Sequence, residues 1–220
     1  MRIKHSIVIP AYNESLRIGD TLASIIAYGS ETAAENSDIE VIVVCDGCRD
    51  ATEQVVRSFA DRLHLRVVSY PDNRGKGYAV RQGIAVSKGD VVVFMDADGS
   101  TPVRELGRLA DPILQNQADI VIGSRRVEGA LVTADQPVLR QLLGRAFAMH
   151  AQMVLGLRIR DTQCWFKVFR GQVARDLFKD FQCDGFAFDL ELLVAARERR
   201  LRVLERGVEW NERPGSTVHP

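Results

Sequence analysis

The chain lacks any run of about eighteen apolar residues, so no stretch of it reads as a bilayer span, and contact with a membrane is expected only at the surface. Its start, Met1-Arg2-Ile3-Lys4-His5, leads directly into a strand without the apolar core of a secretory leader. Neither charge is in excess, with 29 Lys and Arg against 29 Asp and Glu, which removes the electrostatic ground for a nucleic-acid partner. Cysteine is scarce. Of four, only Cys45 and Cys48 have Cys-x-x-Cys spacing, no second pair exists, and His5, His64, His150 and His219 are scattered. Reduced thiols in a cytoplasmic protein are therefore expected, rather than a zinc or redox centre. Repeats, low-complexity segments and hairpin signals are missing too. The 220 residues read as one domain able to bury most of its apolar surface.

What is present is an alternation of strands and helices. Strands are expected over 3–9, 39–45, 65–70, 91–95 and 119–123, later over 164–169 and 202–210. Pro10 should end the first. Helical faces are read from Ile18, Leu22, Ile25 and Ile26, then from Val56, Phe59 and Leu63 behind an Asp50/Glu53 capping box, from Ala79, Val80, Gly83 and Ile84, and from Leu106, Leu109, Ile113 and Leu114 behind a Thr101-Pro102 start. A long helix over 138–157 and another over 186–199 follow; the former reads as core-packed, with a membrane-surface face as the alternative. The pattern implies an α/β fold with a mostly parallel central sheet and helices on both faces, ligands lying at the carboxyl ends of the strands.

One stretch organises the rest. Val91-Val92-Val93-Phe94-Met95 is a buried strand that stops on Asp96, with Asp98 two residues on and Gly99 freeing the turn. Two hard oxygen ligands at such a strand end suit Mg²⁺ or Mn²⁺ carrying a diphosphate, although a plain solvated turn is the other reading of Asp-x-Asp. Asp46 and Lys76 fall at neighbouring strand ends, Lys76 on the glycine loop Asn73-Arg74-Gly75-Lys76-Gly77. Between Arg125 and Arg175 there are nine basic residues against three acidic, which points to an anionic partner on that side.

Taken together, Ser6-Ile7-Val8-Ile9-Pro10-Ala11-Tyr12-Asn13-Glu14, Val44-Cys45-Asp46-Gly47-Cys48, the Asn73 to Gly77 loop, Asp96-Ala97-Asp98-Gly99 and Gly123-Ser124-Arg125 resemble the family-two glycosyltransferases of the GT-A nucleotide-sugar (Rossmann-like) fold. Within them the chain is most similar to the polyprenyl-phosphate sugar synthases of the dolichyl-phosphate β-glucosyltransferase and dolichyl-phosphate mannose synthase type. The narrower likeness rests on Asp96 to Thr101, Asp161-Thr162-Gln163-Cys164, Phe188 to Leu193 and Trp210 to Ser216.

The resemblance implies a nucleotide-binding half over 1–123 and an acceptor-binding half over 124–220. It implies that Pro10, Ala11, Tyr12, Glu14, Asp46, Lys76, Asp96 and Ala97 bind the donor nucleotide, and that Asp98, with Asp96 and Ser100, holds Mg²⁺ or Mn²⁺. Arg125 and Arg140 would grip the acceptor phosphate, with Arg126 and Lys167 as lesser candidates, and Trp165, Asp189 and Glu191 would line the sugar and acceptor pocket. Asp96, Asp98, Lys76 and Arg125 would be the catalytic group. Asp189 reads equally well as a helix cap. Trp165 stands where relatives commonly carry glycine, which leaves the sugar open. The implied reaction is inverting transfer of glucose from UDP-glucose to a polyprenyl (dolichyl-type) phosphate by a peripheral enzyme at the cytoplasmic membrane face. A GDP-mannose donor, a soluble acceptor, or a non-catalytic nucleotide-sugar-binding module are the alternatives.

Overall fold

A computed structural model describes residues 4–32, 38–133 and 159–212. The expected helix over 138–157, with Arg140, and the tail beyond 212 lie outside these residues. The described elements are β1 (His5–Ala11), α1 (Ile18–Glu31), β2 (Ile39–Asp46), α2 (Thr52–Arg57), β3 (His64–Tyr70), α3 (Lys76–Val86), β4 (Val91–Phe94), α4 (Glu105–Leu114), β5 (Ile120–Ser124), β6 (Leu131–Thr133), β7 (Lys167–Arg170), α5 (Gly171–Phe178), α6 (Phe188–Glu198), β8 (Val203–Gly207) and β9 (Glu209–Asn211).

Seven strands form one sheet in the order β3-β2-β1-β4-β7-β5-β8, and β6 with β9 form a small parallel ribbon. Within the large sheet only β7 runs antiparallel to its neighbours, so the start of β7 lies at the same edge as the ends of β4 and β5. The apolar runs of β1, β2 and β4 follow from burial on both faces. Because successive side chains alternate, Ile7, Ile9, Val41 and Val43 pack with α1, α2 and α4, while Val8, Ile42 and Val44 pack with α3, α5 and α6.

Several expected boundaries are corrected. β1 continues through Pro10 to Ala11, since its pairing with β4 ends at Val8 and Phe94, leaving the proline without a neighbour on that side that needs its N–H. The Asp50/Glu53 box does not form: Asp50 accepts from the Thr52 N–H and hydroxyl, but Glu53 turns to Arg57 and Ser69. Thr101 caps nothing in α4, which starts later, at Glu105, whose N–H reaches the Pro102 carbonyl. The 164–169 strand is the shorter β7, and the 202–210 strand is broken at Val208 into β8 and β9. Helix α5 and strand β6 were not expected.

Candidate functional site

The ends of the parallel strands bring the site together. Asp46 closes β2, and its two carboxylate oxygens accept the backbone N–H groups of Arg74 and Gly75 at 2.7 and 3.0 Å. It thereby ties the β3–α3 loop to the sheet edge. Gly75 has φ +100°, and a Cβ there would run into the Asp184 carbonyl, so only glycine lets this loop lie flat. The next residue, Lys76, opens α3 and places its ammonium 2.5 Å from Asp96 Oδ1 at the end of β4. Its other side faces the Trp165 ring, 3.2 Å from the centroid.

The Asp96 to Ser100 turn is fixed by three bonds: Gly99 N–H to Asp96 O, Ser100 N–H to Asp98 Oδ1 at 2.9 Å, and Thr21 Oγ1 to Ala97 O at 2.7 Å. Asp98 is half-buried beside the buried Ser100, whose carbonyl accepts from the Asn211 N–H. Burial raises the Asp96 carboxyl; Lys76 and Arg125 oppose that and Asp98 adds to it. Burial likewise raises Glu14, partly countered by Arg17 at 2.6 Å, and Asp98 and Asp96 push it further. The Asp96 and Asp98 carboxylates, two residues apart just past the end of β4, could together hold a divalent cation. Among the described residues no group of three or more Asp, Glu, His or Cys side chains closes into a metal cage, so the remaining ligands of such an ion would come from a diphosphate and water.

Arg125 follows β5 and is gripped at both edges of its fork by Asp161, at 2.8 and 2.9 Å, while Asp161 Oδ2 also accepts the Arg125 N–H. Burial alone would raise Asp161, but these bonds outweigh it and hold the carboxyl below its usual range. The Trp210 ring lies 5.4 Å from the guanidinium. Asp161 and Arg125 are 36 residues apart, a pairing that no spacing rule could have found. Arg126 donates its backbone N–H to Ser124 Oγ and its Nη1 to the Arg160 carbonyl.

Other expected site residues are placed differently. Lys167 is fully buried, bonded to Asp189 at 2.6 Å and to the Cys164 carbonyl at 2.7 Å, so it is not a phosphate ligand. Asp189 is correspondingly no helix cap. It lies close enough to Lys76 and Asp96 for both to act on its charge, and its Oδ2 is buried without a protein partner. Glu191 spends both oxygens on the N–H groups of Gln182 and Cys183, orienting a loop rather than a sugar. On the nucleotide side, Pro10 and Ala11 are buried, Ala11 O accepts from the Cys48 thiol at 3.3 Å, and Tyr12 is exposed. All four cysteines are free; a hydrogen bond from Cys45 lowers the Cys48 thiol to about 7.

The description "Glycosyl transferase family 2" matches residues 6–178. A dolichyl-phosphate beta-glucosyltransferase of Trichomonas vaginalis is 41% identical over 213 residues, which is 93% of this chain and 63% of that protein. One from Dictyostelium discoideum is 34% identical over 98% of this chain and 68% of its own length, and the Homo sapiens protein of that name is 33% identical over 98% and 69%. The chain thus spans roughly two thirds of these curated relatives. Among solved structures, residues 1–349 of Staphylococcus aureus TarS in complex with UDP-GlcNAc superpose with a TM-score of 0.69 at 18% identity, over 99% of this chain and 62% of that fragment. Glucosyl-3-phosphoglycerate synthase from Mycobacterium tuberculosis, in complex with Mn²⁺, UDP and glucosyl-3-phosphoglycerate, gives 0.65 at 21% identity over 96% and 73%. These two likenesses establish the GT-A fold.

Proposed function

The chain belongs to glycosyl transferase family 2, and from that premise we propose that it is a metal-dependent, inverting glucosyltransferase that moves glucose from UDP-glucose to a polyprenyl phosphate of the dolichyl type. The observation that carries this is the convergence at one sheet edge of Lys76, 2.5 Å from Asp96 at the end of β4, and Arg125, forked on Asp161 just past the end of β5. The names of the relatives support the acceptor and the sugar.

Lys76 would lie against the donor diphosphate and hold its charge as the bond to the anomeric carbon breaks. Asp98, with Asp96, would hold Mg²⁺ or Mn²⁺, which when bound supplies further neutralisation of the departing diphosphate. Arg125, set at a fixed angle by Asp161, would orient the acceptor phosphate from the opposite side of the sugar. A phosphate monoester with a second pKa of about 6 is already anionic at neutral pH, so its oxygen attacks without a protein base. Holding Asp189 against Lys167 agrees with that. Attack opposite the leaving group on an α-linked donor gives a β-linked product. Among the described residues no helix is long and apolar enough to cross a membrane, so those residues would meet a lipid acceptor at the bilayer surface.

The test is incubation with labelled UDP-glucose or GDP-mannose, Mg²⁺ or Mn²⁺, and polyprenyl phosphate. Label from UDP-glucose should pass into the organic phase only when lipid and metal are both present. Label that stays water-soluble in every reaction would refute the lipid acceptor, and transfer from GDP-mannose alone would replace the donor.

A further inference from the structure

Lys76 is the first residue of α3, where the helix macrodipole disfavours a cation. Its position therefore needs compensation nearby. Asp96 supplies one side and the face of Trp165 the other, the ammonium lying between them at 2.5 Å and 3.2 Å. The indole is itself wedged in place: Phe186 meets it edge-on at 5.8 Å and Phe188 lies tilted at 5.6 Å. Phe188 is fully buried against Phe94 and Phe178. Phe186 belongs to a segment fastened to α3, through the Tyr78 N–H on Asp184 O at 3.2 Å and Arg81 Nη2 on Asp184 Oδ1 at 2.8 Å. The same elements thus set both the plane of the indole and the start of the helix that carries the lysine.

We propose that Trp165 is a positioning residue acting through Lys76: its ring holds the ammonium at the diphosphate seat before the donor arrives. This rests on the nucleotide-sugar reading of the site. A free lysine side chain must be ordered when it meets phosphate; here it is already ordered, and it can exchange Asp96 for a phosphate oxygen while the indole stays behind it. The benefit falls on the diphosphate. Ligands with a β-phosphate gain from Trp165, and a nucleoside monophosphate does not.

The test compares wild type, Trp165→Phe and Trp165→Leu by calorimetric titration with UDP, UMP, GDP and inorganic pyrophosphate, each variant first checked for an unchanged thermal midpoint. Trp165→Leu should bind UDP and pyrophosphate about tenfold more weakly, the range of a desolvated cation–π contact, with UMP unaffected. Trp165→Phe, which keeps an aromatic face, should recover most of the loss. In turnover, the donor KM should rise in Trp165→Leu while the acceptor KM stays put. Equal UDP affinity in wild type and Trp165→Leu would overturn the inference. So would an equal loss for UMP, the mark of a merely structural tryptophan, or a Phe variant no better than Leu. A wild-type protein that binds neither UDP nor GDP would overturn the nucleotide-sugar reading itself and take this inference with it. If Trp165→Leu fails to keep its midpoint, the Phe variant and the UDP-to-UMP affinity ratio decide in its place.

Discussion

A lysine with no exposed surface, tied to an almost equally buried aspartate, is a costly arrangement. Removing one member leaves the other charged and unpaired. Lys167→Met should therefore lower the unfolding free energy by about 3–5 kcal/mol in urea titrations. Lys167→Met combined with Asp189→Leu should regain most of that, because a well-packed apolar pair replaces two desolvated charges. A double variant as unstable as the single one would mean that the pair is not coupled. Asp98 presents the opposite case, a half-buried carboxylate that accepts the Ser100 N–H and has two acidic neighbours. Asp98→Asn should cut turnover by about a hundredfold or more and leave the thermal midpoint near wild type, since its charge is used on ligand rather than on the fold. Turnover within a few-fold of wild type would remove Asp98 from the metal assignment.

Helix α3 lies so close to the sheet that Gly83 has no room for a methyl group between it and Val8 Cγ1 and Val44 Cγ2. Gly83→Ala should destabilise by about 1–3 kcal/mol despite its better helix propensity, read as a lower denaturation midpoint. At the far end of β5, Asp119 accepts three bonds from Arg202, through its backbone N–H, Nε and Nη2, and faces Arg170 of β7. The Arg202 hydrogen bond leads in holding its carboxyl down at about 2. A depressed pKa contributes stability that is complete above about pH 4 and lost as pH falls toward 2. Wild type should lose thermal midpoint more steeply than Asp119→Asn across that window; parallel curves would deny the clamp. The sequence made these elements unevenly legible. β2 and β4, eight and four residues buried throughout, announce themselves by apolar runs. β7 was expected as a strand over 164–169, but the burial of its Lys167 was not legible, because a lysine reads as a surface residue until Asp189 is seen beside it. α5 was missed because its apolar face, Ala174, Leu177 and Phe178, is only two turns long. In the site, Asp96, Asp98 and Lys76 could be read from turn chemistry and spacing, whereas the Arg125–Asp161 fork and the Lys76–Trp165 contact join distant segments and could not.

At the scale of the whole molecule the sheet is two blocks with a single joint. β3, β2, β1 and β4 form one block, β5 and β8 the other, and among the described strands β7 alone is hydrogen-bonded to both. The first block is doubly covered, so amides of β1, β2 and β4 should show the slowest hydrogen exchange, and those of β8 and the exposed β6–β9 ribbon the fastest. Uniform protection across all strands would contradict that gradient. The joint also has a consequence in time. During synthesis the first block has all its strands by residue 94, but β5 finds no place in the sheet until the chain has been made through residue 170 and β7 has come back to lie beside β4. Until then one edge of β4 and both edges of β5 are open to other strands, so a pause or truncation anywhere between 124 and 167 leaves a nascent chain with adhesive edges. Chaperone demand should peak in that interval of elongation and fall once β7 is in place.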